Sequence, residues 1–160
     1  MYDKGAGIVH TMRYLVNNDQ NFFDGLKNFQ LNFGESTAIG LDMKAEMEAA
    51  SGVDLTEFFE QWYFGEGYPT YSSQYFLDGS DLKVRINHTT LRPLITPTFT
   101  NPIDIRVSRS GAADTTLRLD ISTNSDLFII PNMANFTNIT QLDFKNWIIN
   151  NLKLPLQYYG

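Results

Sequence analysis

The spacing of apolar residues in this sequence changes near Pro69. Before Pro69, apolar residues recur at three- and four-residue steps, which is the period of an amphipathic helix. After it, apolar and polar residues alternate, as in strands with one buried face. We therefore predict an α+β chain in two parts, a helical domain over residues 1–69 and a β-sheet domain over residues 70–160.

Four helices are predicted before Pro69. Asp19 is the expected N-cap of the second helix. Asp54, followed three residues later by Glu57, resembles a capping box and places the start of the fourth helix. The predicted helices are Lys4–Val16, Asp19–Phe33, Asp42–Gly52 and Asp54–Gly65.

About seven short strands are predicted after Pro69, joined by turns with no helix between them. Asp78-Gly79 is a hairpin signal, and Ser110-Gly111 begins another turn. The first predicted strand ends near residue 77, and the second starts at residue 82. The others cover residues 103–107, 117–121, 127–130, 139–144 and 147–152. This pattern indicates a small antiparallel β-sandwich of immunoglobulin-like type.

Composition excludes several classes of function. The net charge of -6 argues against a general nucleic-acid binder, which needs a basic face for phosphates. The chain has no cysteine, so thiolate nucleophiles, disulfides and cysteine-bound zinc are excluded. No apolar run approaches the roughly 18 residues of a membrane span. No signal peptide begins the sequence, so we expect the signal of an exported protein to lie outside this chain.

The sequence offers no catalytic motif of its own. Its two histidines, His10 and His88, lie in different halves, and His10 has Tyr14 four residues later, so no HExxH exists. We interpret His10 as a partly buried helix residue and His88 as a surface residue. Neither Gly-x-Ser-x-Gly nor a phosphate-binding loop is present, so no metal or cofactor site is predicted within this chain.

Two stretches together resemble the aminopeptidase N-type zinc metallopeptidases, a gluzincin family of peptidase clan MA. The first is Tyr2-Asp3-Lys4-Gly5, which opens an apolar helix. The second is the segment GVDLTEFFEQW at 52–62, ending in Gly67-Tyr68-Pro69, which resembles the end of the family's thermolysin-like catalytic domain. More weakly, DFKNWI at 143–148 resembles the closing Asp-Pro-x-x-Trp strand of the following sandwich, with Phe144 in place of the proline.

This resemblance implies a specific function for a longer parent protein. In the family, HExxH and a downstream Glu hold one zinc, and the HExxH glutamate activates the zinc-bound water. Those motifs lie upstream of the Tyr2 helix and are absent here, so we expect this C-terminal fragment to be inactive and zinc to be bound only in the parent. Tyr2 would stabilise the oxyanion there. The implied partners are a peptide substrate and the missing N-terminal part of the catalytic domain, in an exported bacterial enzyme.

A further expectation concerns the surface of the helical part. Helices that lack the rest of a catalytic domain would expose apolar side chains, among them Phe22, Phe23, Phe29 and Phe33, and we expect self-association through them.

Two alternative interpretations of the function are compatible with the sequence. One is a non-catalytic adhesion or carbohydrate-binding β-sandwich, which exposed aromatics would support; these are Tyr71, Tyr75, Tyr158 and Tyr159. The other is a pseudo-peptidase that acts as a scaffold.

Overall fold

The chain has an α+β architecture in two compact units. The computed structural model describes residues 2–152 and 156–157, with side chains described for 4–139 and 142–151. The units are Met1–Gly65 and Glu66–Gly160, so the division falls just before the predicted junction at Pro69. The first unit contains the helices and the second contains the strands.

The helical unit contains three long helices and one short helix. They are α1 (Tyr2–Val16), α2 (Asp19–Phe33), α3 (Gly40–Ser51) and α4 (Thr56–Phe58), and α4 continues as a π-helical turn over Phe59–Tyr63. The sequence predicted four helices in these places, but it predicted the last as one regular helix. The core residues of this unit are Met12, Tyr14, Val16, Phe22, Met47, Leu55, Phe58, Phe59 and Trp62.

The predicted cap of α2 is wrong by one residue. Asn18, with extended backbone at φ -150°, is the N-cap, and its side chain accepts a hydrogen bond from the Asn21 N–H at 3.1 Å. Asp19 lies inside the first turn and bonds Arg13 instead. An aspartate in the first turn still stabilises the helix, because its negative charge lies near the positive end of the helix dipole.

The predicted capping box at Asp54 and Glu57 is also wrong. Asp54 does accept a hydrogen bond, from the Thr56 N–H at 2.8 Å, but it lies before the N-cap, which is Leu55. The Leu55 N–H donates to Glu48 of α3 at 2.8 Å. Backbone hydrogen bonding to Thr56 lowers the pKa of Asp54. Glu48, in the preceding helix, therefore accepts the hydrogen bond from the N-cap N–H that the predicted capping box assigned to Glu57.

Helices α2 and α3 pack closely because Gly25 has no side chain. A Cβ built at Gly25 would lie 2.9 Å from Met47 Sδ and 3.2 Å from Met47 Cα. Met47 is fully buried. Glycine thus permits the backbone approach of these two helices, at a cost in helix propensity of about 0.5–1 kcal/mol.

The second unit consists of two sheets. The first has the order β5-β2-β1-β7, with β8 also paired to β1, and the second has the order β4-β3-β6. The strands are β1 (Pro69–Asp78), β2 (Asp81–Thr90), β3 (Asn101–Arg109), β4 (Ala112–Ile121), β5 (Ser125–Ile130), β6 (Phe136–Leu142), β7 (Asn151–Leu152) and β8 (Leu156–Gln157). Two tyrosine hydroxyls of the first sheet bond the second sheet: Tyr71 donates to the buried Asn101, and Tyr75 donates to Asn138.

Both predicted hairpin turns are confirmed. Residues Gly79 and Ser80 connect the paired Asp78 and Asp81 of β1 and β2, and Gly79 has φ 64°. The turn between β3 and β4 likewise contains Gly111, with φ 72°. Positive φ at these positions explains why glycine occupies both turns.

The end of the chain departs from the predicted antiparallel pattern. Strands β7 and β8 pair with β1 in parallel. The predicted strand over 147–152 is reduced to Asn151–Leu152. The Asp143 side chain accepts hydrogen bonds from the backbone N–H groups of Trp147 and Ile148, so these groups are engaged in a turn and are not available to a strand.

Candidate functional site

The helix that carries the first family-like motif begins at the predicted catalytic residue. Tyr2 is the first residue of α1, and its side chain lies outside the described part of the structure. Lys4 is exposed, with its Nζ 3.5 Å from the carbonyl oxygen of Gly65. Farther along α1, Arg13 makes two 2.8 Å hydrogen bonds to Asp19, and this interaction lowers the pKa of that carboxyl.

The second family-like motif builds the core of the helical unit. Phe58, Phe59 and Trp62 are buried, and the rings of Phe58 and Trp62 stack with centroids 6.3 Å apart. The π-helical turn places Phe59 and Trp62 in the core and leaves Tyr63 half exposed. π-Helical turns frequently occur at functional sites. Here the turn rotates Tyr63 toward a groove.

This groove is a cavity of about 370 Å³ within the helical unit. It lies among α1, α2, the start of α3 and the π-helical turn. Its lining residues are Gly5, Ile8, Val9, Met12, Phe29, Ala38, Ile39, Gly40, Met43, Phe59 and Tyr63. Tyr63 contributes the one side-chain oxygen of this lining, so the groove is suited to bind an apolar surface and offers no acid, base or nucleophile pair for catalysis.

The mouth of the groove is formed by Tyr63 and the segment before α3. Ile39 is 60% exposed and Tyr63 is 49% exposed. A Cβ at Gly40 would lie 2.3 Å from the Tyr63 ring, so the ring rests directly on the backbone of residue 40. Sequence reasoning missed this site, since Ile39 and Tyr63 lie outside any periodic apolar stripe. The adjacent aromatic residues from 58 to 64 were the available signal.

The phenylalanines predicted to form an exposed patch are distributed differently. Phe22 is buried, which contradicts its predicted exposure, because it packs in the core of the unit. Phe23 is 51% exposed, and its ring lies 5.1 Å from the Arg13 guanidinium carbon. Phe29 and Phe33 are half-buried. The exposed apolar surface of this unit therefore includes α2 only in part, and includes the groove mouth as well.

Both histidine interpretations are wrong. His10 is exposed on α1. His88 is 3% exposed within β2, because the alternation of that strand continues through it and directs it to the buried face. Its Nε2 accepts a hydrogen bond from the Phe99 N–H at 3.2 Å, and burial lowers the pKa of His88. Among the described residues, no three His, Cys, Asp or Glu side chains lie together as a possible metal site.

A second cavity, of about 360 Å³, lies on the outer face of the first sheet. It is lined by Gln74, Phe76, Lys83, Arg85 and Leu127. Lys83 bonds Asp78, which lies at the end of β1, and its Nζ is 5.5 Å from the Phe76 ring centroid. This cavity combines cationic and apolar surface, which suits binding but provides no catalytic pair.

Comparisons with known proteins agree with the resemblance seen in the sequence. No family model matches the chain. Aminopeptidase N of Lactococcus lactis subsp. lactis is 30% identical over 74 residues, which are 46% of this chain and 9% of that protein. Aminopeptidase A of Legionella pneumophila, solved in complex with aspartic acid, matches with a TM-score of 0.67 and 19% identity, over 99% of this chain and 18% of that one.

The chain therefore spans less than one fifth of the length of either of these proteins. The predicted resemblance to the aminopeptidase N-type peptidases is confirmed. In the described residues, no helix has both the length and the apolarity needed to cross a membrane.

Proposed function

We propose that this chain is the C-terminal portion of a zinc-dependent aminopeptidase, and that it supports the catalytic site without containing it. The observation that carries the proposal is the likeness to two aminopeptidases, one in sequence and one in fold. The two motifs agree with a supporting role, because Phe58, Phe59 and Trp62 form a core while Tyr2 begins a helix.

In this proposal the helical unit is the end of a thermolysin-like catalytic domain. The apolar groove beside α1 would receive helices of the preceding polypeptide, whose HExxH motif and downstream glutamate would hold the zinc. Tyr2 would donate a hydrogen bond to the oxyanion of the tetrahedral intermediate. One such donor contributes about 2.7–4 kcal/mol of transition-state stabilisation. The isolated chain would bind no catalytic zinc and hydrolyse no peptide.

The second unit would be the immunoglobulin-like sandwich that follows the catalytic domain. Two sheets, two tight hairpins and a buried interface agree with that assignment. The substrate would be a peptide with a free N-terminus. We further propose a bacterial, exported parent, with the export signal in a part of the protein beyond this chain.

The experiment begins with the coding sequence upstream of the Tyr2 codon. We expect an open frame that contains HExxH and a later glutamate. In the longer protein, Tyr2→Phe should lower kcat about 10²- to 10³-fold with little change in KM, because the lost bond acts only in the transition state. Tyr63→Phe, which removes a hydroxyl from the groove, is the matched control and should leave kcat near its original value.

The proposal fails if a stop codon and a ribosome-binding site directly precede Met1, or if Tyr2→Phe leaves kcat unchanged. A long protein that contains the frame but neither hydrolyses aminoacyl amides nor binds zinc would be a pseudo-peptidase scaffold.

A binding module is the second candidate, and the outer cavity beside Lys83 and Arg85 favours it. Two of the aromatics expected to support this function do not, because Tyr71 and Tyr75 are buried. Tyr158 and Tyr159 lie outside the described residues. Titration of the chain with acidic and neutral oligosaccharides, compared with an Arg85→Ala variant, would test this alternative. Saturable binding lost in the variant would support it.

A further inference from the structure

Strand β5 has backbone groups that pair with nothing in the described structure. It is the edge of the first sheet, and its one neighbour among the described strands is β2. The His88 N–H donates to the Asn124 carbonyl at 3.0 Å, and these residues continue the β2–β5 register. Because backbone groups alternate in direction along a strand, the N–H and C=O of Leu127 and Ile129 point away from β2.

The side chains of this edge are also apolar and accessible. Leu127 is 49% exposed and Ile129 is 58% exposed, both on the outer face of the sheet. Residues 127–130 are all apolar, and a proline follows at 131. Natural sheets usually protect an edge with lysine, proline or a bulge within the strand. Strand β5 has none of these inside its apolar run.

We propose that β5 pairs with β5 of a second copy of this chain, antiparallel and centred on Phe128. In that register Leu127 lies opposite Ile129 of the second copy, and Ile129 lies opposite its Leu127. Each outward N–H and C=O of these residues then gains a partner, which gives four hydrogen bonds. The exposed aliphatic side chains pair with each other across the junction, as cross-strand pairs do within a sheet.

Other registers are less favourable because of the residues that flank the strand. Pairing centred on Leu127 places Ile129 opposite Ser125, whose N–H already donates to the Thr123 hydroxyl at 3.3 Å. Pairing centred on Ile129 places Leu127 opposite Pro131, which has no N–H. The strand is thus self-complementary in one register, and this favours a second copy over an unrelated partner strand.

The charges near the junction permit this pairing. The Asp126 carboxylate is held by the N–H groups of Ser122 and Thr123 at 3.0 and 2.9 Å within its own turn. It is therefore not aligned on the outer face. Arg85 and Lys83 each lie one strand away from the edge, opposite Leu127 and Ile129. Pairing of six-residue strands buries less than the roughly 1,200 Å² of a stable interface, so the dimer is weak and concentration-dependent.

Cysteine crosslinking tests the register directly, because the chain contains no cysteine. Leu127→Cys and Ile129→Cys change exposed positions and should leave the fold intact. In the proposed dimer, residue 127 of one copy lies about 5.5 Å from residue 129 of the other, in Cα distance. Identical positions lie roughly 8 Å apart, beyond the about 7 Å that a disulfide spans.

We expect an equimolar mixture of Leu127→Cys and Ile129→Cys to form the mixed disulfide under mild oxidation, and each variant alone to form little. Leu94→Cys, at a fully exposed loop position, measures random collisional crosslinking. The proposal is overturned if the mixture crosslinks no more than Leu94→Cys, or no more than either single variant.

Sedimentation across a wide concentration series gives an independent test. The average molar mass of the unmodified chain should rise with its concentration, and the Ile129→Glu variant should remain monomeric. A glutamate there faces Lys83 of its own sheet, so folding is retained. Leu94→Glu is the matched control and should associate like the unmodified chain. A chain that is monomeric throughout, or whose association is abolished by Ile39→Glu in the helical groove and not by Ile129→Glu, contradicts the proposal.

Discussion

Asp143 holds the turn near the end of the sheet unit, and its removal tests how that turn forms. The residue is 1% exposed and has φ 42°. Its carboxylate accepts hydrogen bonds from the Trp147 N–H at 2.8 Å, the Ile148 N–H at 3.1 Å and the Asn150 amide at 3.0 Å. Its own N–H donates to the Asp104 carbonyl at 2.8 Å. One residue, through its backbone N–H and its carboxylate, therefore organises both ends of the turn.

The expected cost of Asp143→Ala follows from these contacts. Two backbone donors would lose their acceptor, and an unsatisfied buried donor costs about 1–3 kcal/mol. Alanine also tolerates positive φ poorly, which adds roughly 1 kcal/mol. Two effects reduce this cost. Water can reach the half-buried Trp147, and the variant no longer has to bury a carboxylate, whose burial raises the pKa of Asp143. We expect a net loss of about 3 kcal/mol in the free energy of unfolding.

Two companion variants separate these contributions. Asp143→Gly relieves the backbone strain but removes the acceptor, so it should cost about 1 kcal/mol less than alanine. Asp143→Asn keeps one oxygen acceptor and tolerates positive φ, so its cost should be about 1–2 kcal/mol.

The assay is urea unfolding followed by circular dichroism, together with amide exchange of Trp147 and Ile148. Exchange at both amides should accelerate in Asp143→Ala while amides of β3 stay protected. A loss below about 0.5 kcal/mol, or unchanged exchange at both amides, would refute the view that this carboxylate holds the turn.

Three further outcomes are expected. Gly25→Ala should lower stability by about 1–2 kcal/mol in a melting experiment, because overpacking against Met47 exceeds the gain in helix propensity; an increase in stability would contradict this packing. Gly79→Ala should cost about 1 kcal/mol in the same assay, since its positive φ is strained while the space around it is open; no change would mean that the turn readily adopts another conformation. Burial lowers the pKa of His88, so the unfolded chain takes up the proton first, and stability should fall as pH drops below about 6.5. His88→Gln, which preserves an acceptor for the Phe99 N–H, should flatten that part of the pH profile measured by urea unfolding, and an unchanged slope would assign the titration to another group.

Local patterns predicted most of the secondary structure. The bounds of α2 were predicted at both ends, because its apolar residues recur regularly between a cap region and a break. Gly79 and Gly111 located both hairpins, since a turn with positive φ needs glycine locally. One error lies where a residue of the preceding helix supplies a hydrogen bond, as Glu48 does at Leu55. Another error is local, because Asn18 and not its neighbour Asp19 is the N-cap of α2.

The candidate site was predictable only in part. The motifs at 2–5 and 52–69 indicated the aminopeptidase resemblance, and the comparisons confirmed it. The groove was not predicted, because Ile39, Gly40 and Tyr63 come together through the packing of α3 against the π-helical turn. Such contacts join residues that are far apart in the sequence, so no local periodicity predicts them.

The division into helices and strands follows from the sequence, because the spacing of apolar residues depends only on the geometry of each element. The sequence also determined the absence of thiol chemistry, through composition. Tertiary structure decided that His88 is buried, that Asp143 replaces a strand with a turn, and that β5 is left at an edge. Burial, capping and strand order depend on contacts between different segments of the chain, and the packing of the whole unit determines those contacts.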